Sequence, residues 1–476
     1  MRRLTMMIVL ALAGPASAAA PEAGTIWFSL EAANGARLGH ASHRVVETAD
    51  GREIRDDSEI LVQELADSPT RIAGQTIIRQ DRAGRTLSIS IDSQVGPSRS
   101  RTEARIGADA AEITRRTAAG GRTVRVPLGR EVRFDDGAGL LAGWDIAATP
   151  RLEYDNLDVA AMLVEHVVLE ATPGPEGGIF VLRKRYDGGE LRAVARLVLD
   201  RDRRLVSTTQ PMFGTAITAR TTDRETALRD HPPYTVLANS LVRAPFRMPS
   251  SALQGHVRYR ASFADGIAFA LPQTGEQAAA SEPAGVTLDV CAGCGPGLPH
   301  DPATLADALR PTSWLQSDDR RLRRIAAPVA RLAVSDTRKM ELLLARARPY
   351  LARVDFTGHY SAVETIRRRA GDCTEAAVLL AALGRAAGIP TRVANGLVYS
   401  RERYHGVSNV FMPHSWVLAF VDGRWRSFDL ALEAFDSSHI AITVGDGDAR
   451  SVQAASQLAS LLHWEDMAEI RIRPAR

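Results

Sequence analysis

Short alternating runs of apolar and polar residues, broken by glycine-containing turns, fill residues 25 to 215 and predict antiparallel strands. In "TLSISID", residues 86 to 92, apolar side chains alternate with Ser, the pattern of a sheet with one wet face. In "HRVVETADGREIRDD" Asp50-Gly51 stands between two alternating runs, which is a two-residue hairpin signal. "AEITRRTAAGGRTVRVPL" repeats it around Gly120-Gly121, and "FVLRKRYDGGELRAVARLVLDRDRRLVSTT" around Asp187-Gly188-Gly189. No fixed-period repeat and no helical array is visible, so a large antiparallel sheet or sandwich is predicted. Weaker strands continue over residues 255 to 290, interrupted by "TGEQAAASEPAG", residues 274 to 285, which reads as an exposed loop or linker.

From about residue 311 the period changes to helical. "SDTRKMELLLARARPYL" offers Ser335 or Asp336 as a cap and places Met340, Leu343, Leu344 and Ala347 on one face. "SAVETIRRRAG" opens with Ser361 and carries Glu364 three residues later, a capping box. Asp372 can cap a further helix that begins at Cys373. Its buried face is Ala376, Ala377, Leu379, Leu380 and Leu383; Gly388 ends it and Pro390 blocks resumption. Two strands and a hairpin follow. The expected class is α+β: a large antiparallel β-rich domain over 21–235, a weaker β segment and linker over 236–310, and a helical and strand domain over 311–476.

Length and charge narrow the class. At 476 residues there is room for about three domains. Arg2 and Arg3, an apolar stretch over residues 4 to 13 and "ASA" at 16 to 18 read as a secretory signal over residues 1–20, too short to span a bilayer. Periplasmic or secreted localisation is expected, with no transmembrane anchor in the mature chain. Losing that segment lowers the net charge of +3 to about +1, so no basic field for nucleic acid is expected. Lys184 and Lys339 are the only lysines; the remaining basic residues are Arg.

An oxidising compartment sharpens the cysteine question. Cys373 stands alone where unpaired backbone N–H groups and the positive helix end favour thiolate over thiol. A small buried Cys packing at a helix start is the plain alternative. "HSWVLAFVDGRWRSFDLAL", residues 414 to 432, changes the balance. It reads as two strands joined by Asp422-Gly423, which sets Asp429 opposite Trp416 and diagonal to His414 on one face. Nucleophile, base and orienter are then all present.

The runs "RRRAGDCTEAAVLLAALGRAAGIPTRVANGLVY" and "HSWVLAFVDGRWRSFDLAL" together resemble the transglutaminase-like superfamily, over about residues 311 to 435. The resemblance implies a papain-like thiol-enzyme core with Cys373 as nucleophile, His414 as base and Asp429 as orienter. It implies amide chemistry on a peptide or protein substrate, including cell-envelope peptides, with no metal and no organic cofactor. Water as acceptor makes a peptidase or amidase; an amine makes a protein transglutaminase. The rival is a non-catalytic binding or assembly module on the same scaffold. The chain departs from the family pattern at Ala376 and at Leu430-Ala431. For the second oxyanion donor Tyr360 and Trp314 are candidates beside the backbone N–H of Cys373.

"CAGCGPGLPHD" brings Cys291, Cys294, His300 and Asp301 together. The spacing matches no zinc pattern, so a local disulfide is expected. His405 and His439 read as solvated loop histidines. The β-rich half is expected to present or recognise substrate and to carry no chemistry.

Overall fold

Fourteen antiparallel strands follow one another in a single sheet between Thr25–Ala32 and Thr215–Thr222. The computed structural model describes residues 24–471 apart from 64–68, 118–119, 130–131, 135–140, 142, 213–214, 236–240, 355–358 and 403–406. The export segment read at residues 1–20, and His405, lie outside them. The chain divides into two compact units, with the boundary in sequence between residues 239 and 240.

In the N-terminal unit each strand pairs with the next except the eighth with the ninth, and the first also pairs with the fourteenth. The eighth strand, Gly120–Pro127, and the ninth, Arg151–Asp158, are therefore the two ends of the row. Ile54, Ile78, Ile89, Ile91 and Ile113 share a core with Val126 of one end and Leu157 of the other, so the sheet curls over its apolar face. The hairpin at Gly188-Gly189 has φ of +57° and +82°, values that L side chains rarely adopt, and Asp187 pairs with Glu190 across it. At the first hairpin Thr48 pairs with Gly51, so the loop is Ala49-Asp50, one residue earlier than its dipeptide suggests.

The C-terminal unit is helices packed on an antiparallel sheet. That sheet holds Thr391–Ser400 between Val410–Val421 and His439–Gly445, and Arg424–Phe428 pairs on the far side of Val410–Val421. Helix Cys373–Ala386 is buried along nearly its whole length. Val378, Leu379, Leu380 and Leu383 pack against Leu322, Met340 and Leu343 of two neighbouring helices and Val417 of the sheet. Among the described residues no helix is long and apolar enough to cross a membrane.

Of residues 236–310, set apart by sequence pattern, the described residues 241–310 belong to this unit. Val257–Phe263 pairs on one side with Gly285–Val290 and on the other with Leu462–Glu469, near the chain's end. The stretch 274–285 is corrected from exposed loop to a turn and an edge strand, Gln277–Glu282, paired with Gly285–Val290. The Ala run hides the alternation there. The buried polar residues Thr274, Glu276 and Gln277 are held by hydrogen bonds, which hydropathy does not register. A fragment starting at 311 would lose three of the four strands of this sheet.

Arg385 closes the far end of the Cys373 helix. Its side chain is fully buried, donates to the carbonyls of Thr391 and Arg310, and pairs with Asp446 at 2.5 Å. Burial lowers its pKa, and the Asp446 carboxylate opposes that shift. Truncating one partner of such a buried pair strands the other groups. Arg385→Ala is expected to cost about 3 kcal/mol in urea unfolding. A loss below about 1 kcal/mol would show that Arg392, which also reaches Asp446 at 2.8 Å, satisfies the site alone.

Candidate active site

Cys373 is the first residue of its helix. Asp372 caps that helix by accepting from the Thr374 N–H at 2.7 Å. Glu375 closes the box: Oε2 accepts from the Asp372 N–H at 2.9 Å and Oε1 from the Tyr360 N–H at 2.9 Å. Glu375 is wholly buried. Burial first, and then the adjacent Asp372 carboxylate, push its pKa well above the ordinary carboxyl range. Its two backbone hydrogen bonds hold the segment before Cys373.

His414 lies on Val410–Val421 and Asp429 immediately follows Arg424–Phe428. Val421 pairs with Arg424 and Val417 with Phe428, across a two-residue turn with positive φ at Asp422 and Gly423. His414 Nε2 meets Asp429 Oδ2 at 2.6 Å, and both side chains are buried. With Nε2 taken by Asp429, Nδ1 is left for Cys373, whose sulfur hydrogen-bonds the ring. Trp416 lies nearly parallel to His414, with ring centroids 6.1 Å apart. Its Nε1 donates to Ser427 Oγ at 3.2 Å, and Ser427 in turn donates through N and Oγ to the buried Glu276 at 2.8 and 2.9 Å.

Charge follows from this packing. Burial pulls His414 down, but the charge and hydrogen bond of Asp429, with the Cys373 sulfur, raise it to about 10. Burial and Asp372 push the Cys373 thiol up. Against them, the hydrogen bond and charge of His414 favour the thiolate. Burial also opposes ionisation of Asp429, yet the two imidazoles beside it hold it well below the carboxylate range. The arrangement favours a thiolate–imidazolium pair, and the backbone N–H groups at the helix start are available to an oxyanion.

The second imidazole is His439. Contrary to the solvated loop expected from sequence, it is buried on strand His439–Gly445, with Nε2 at 3.0 Å from Asp429 Oδ2. Gly396 sets this register. It pairs with His414 on one side and Ala441 on the other, and a Cβ there would lie 1.9 Å from the Ile440 carbonyl oxygen. No local sequence signal joins residue 439 to residue 429; only the sheet does. Tyr360 and Trp314 precede the Cys373 helix: Arg368 lies over the Tyr360 ring at 4.0 Å, and Trp314 stacks on His359 at 4.2 Å.

Among the described residues, two groups hold ligand atoms within 4.8 Å of one another, His414–Asp429–His439 and His256–Cys291–Cys294. In the first, hydrogen bonding accounts for the closeness. In the second, the sulfurs are joined in a Cys291–Cys294 disulfide and His256 Nε2 is on Asp289 at 2.8 Å. His300 and Asp301 do not join that group. His300 stacks on Phe420, and Asp301 caps helix Pro302–Asp307.

Residues 323–430 match the family model of the transglutaminase-like superfamily core. No curated protein matches the chain. Among solved structures, a β-barrel-like protein of the domain of unknown function DUF1849 from Brucella abortus is similar at 11% identity, covering 43% of this chain and 98% of its own, with a TM-score of 0.34. A proposed cysteine protease from Cytophaga hutchinsonii is similar at 17% identity, covering 46% and 91%, with a TM-score of 0.30. The periplasmic domain of TgpA from Pseudomonas aeruginosa, bound to ethylmercury, is similar at 16% identity, covering 48% and 84%, with a TM-score of 0.26.

Proposed function

We propose that this chain is an exported cysteine-dependent acyl-transfer enzyme that acts on amide bonds of peptides or proteins through a thioester. The observation that supports it best is the buried row of Cys373, His414 and Asp429, with the sulfur at the start of a helix and hydrogen-bonded to the imidazole. The Cys373 thiolate attacks the amide carbonyl carbon, and the oxygen takes the electron pair and rests on backbone N–H groups, that of Cys373 first. As the oxyanion collapses, the C–N bond breaks, and His414 gives its proton to the departing amine. The neutral imidazole then takes a proton from water or from an incoming amine, which attacks the thioester and restores the thiolate–imidazolium pair. Asp429 keeps the imidazole oriented throughout and stabilises its charged form. Cell-envelope peptides are a substrate class consistent with export, and the N-terminal sheet is assigned to substrate recognition.

Alkylation tests the site without knowledge of the substrate. Chloroacetamide should label Cys373 with a rate midpoint well below the free-thiol value of about 8.5, read by intact mass across pH. A midpoint at or above that value would sink the proposal and favour a scaffold that only binds. Partition between water and added glycine amide, scored by mass on a peptide library, separates hydrolysis from amine transfer.

A further inference from the structure

His439 has acceptors at both ring nitrogens. Nε2 faces Asp429 Oδ2 at 3.0 Å. Nδ1 faces the Asp436 carbonyl oxygen at 3.0 Å and Asp436 Oδ1 at 3.2 Å. The Asp436 N–H approaches the same nitrogen from 3.4 Å, farther than either oxygen. A neutral imidazole donates from only one nitrogen; protonated at Nε2 it would accept the Asp436 N–H at Nδ1 but set that lone pair against two nearer oxygens. The doubly protonated ring satisfies both sides. Its side chain is 1% exposed, so no water screens it, and Phe435 and Trp416 pack against it at 5.0 and 5.2 Å between ring centroids.

The carboxylates are arranged to match. Asp429 Oδ1 accepts from the N–H groups of Ala431 and Leu432 at 2.7 and 3.0 Å, and Oδ2 accepts from both imidazoles. Four donors saturate it as an anion. Asp436 Oδ1 accepts from the Ser438 N–H at 2.9 Å and from its hydroxyl, and Asp436 too is held below the ordinary carboxylate range despite burial. The titratable groups facing His439 and its partners are then Asp436 on the preceding loop, Asp429 and His414 on the hairpin, and Cys373 beyond His414 on its helix.

We propose that His439 is a buried imidazolium that completes an alternating row of charges, Cys373, His414, Asp429, His439 and Asp436, and limits how firmly Asp429 holds the proton on His414. It is a positioning residue, because it touches neither substrate nor sulfur. The role rests on the acyl-transfer reading, in which an imidazole held too basic would be slow to release its proton to the leaving amine. His439 shares the same carboxylate oxygen, and its ring centroid is 5.5 Å from that of His414. A unit positive charge at that separation shifts a neighbour's titration by roughly one to two pH units at the effective dielectric of protein sites.

Two measurements on the full chain test this. With ¹⁵N-histidine labelling, both ring nitrogens of His439 should read as protonated at pH 7.5; a singly protonated neutral ring there overturns the proposal. In His439→Gln, which keeps an N–H donor but no charge, the alkaline arm of the Cys373 alkylation profile should move up by at least about one pH unit. Coincident profiles for the wild type and a folded His439→Gln overturn it as well. A merely structural role would lower stability and rate without moving that arm. Neither readout needs turnover, so a chain with the charged ring and no amide activity refutes the acyl-transfer reading and still supports the charge row.

Discussion

Replacing Cys373 by Ala should abolish acyl transfer and leave the fold intact. Ala has no electron pair to form the thioester, and neither His414 nor Asp429 can supply one in its place. What remains is the helix start with its backbone N–H groups, which binds an oxyanion but cannot form the covalent intermediate. Loss of the nucleophile in a thiol or serine hydrolase removes roughly 10⁴- to 10⁶-fold of kcat. The fold should tolerate the change, because Asp372 and Glu375 cap the helix independently of the sulfur. Turnover of a small thioester by Cys373→Ala above about 1% of wild type would place the chemistry elsewhere. Far-ultraviolet dichroism and a urea midpoint within about 1 kcal/mol of wild type confirm that folding is not the cause of the loss.

Asp429→Ala should cost both rate and stability, and its pH dependence identifies the reason. Asp429 accepts from two imidazoles and two backbone N–H groups, all buried. Without it, only the Cys373 sulfur opposes the effect of burial on His414, and its pKa falls from about 10. The thiolate then loses its cationic partner at neutral pH. The rate should fall roughly 10³- to 10⁴-fold, as for loss of the equivalent carboxylate in a serine peptidase. Stability should fall by about 3 to 5 kcal/mol, since one partner of a buried charged set is gone.

The sign of the stability effect over pH follows from the directions. A histidine raised on folding stabilises fully below its unfolded value near 6.5, and that contribution is lost as pH rises through about 10. A carboxylate depressed on folding stabilises above its unfolded value near 3.9, and that contribution is lost as pH falls. The difference between wild type and Asp429→Ala should therefore be widest between about pH 4 and 6.5 and shrink toward pH 10. A gap independent of pH over that range would mean that Asp429 acts through packing and backbone caps alone. An alkylation profile of Asp429→Ala whose alkaline arm stays near 10 would remove its role in charging His414.

The sequence by itself determined the features that neighbours in the chain decide. The capping box at Ser361 and Glu364 joins residues three apart, the cap at Asp372 is adjacent to its helix, and the hairpin that carries His414 and Asp429 follows from a two-residue turn whose register any alternating pair must keep. The change from alternation to helical period was also visible, because it repeats over many residues. The tertiary structure alone decided the rest. His439 reaches Asp429 only because Gly396 lets two strands approach at one register. Glu276 and Gln277 brace the hairpin and strand His439–Gly445 from more than 150 residues away, across a stretch whose composition reads as linker. The strand at 257–263 finds its partner at 462–469, with the whole helical core between them. Such contacts leave no periodic trace. Their favourable energy lies in buried hydrogen bonds and shared carboxylates, and one chain's residue pattern cannot say which distant segment supplies the other half.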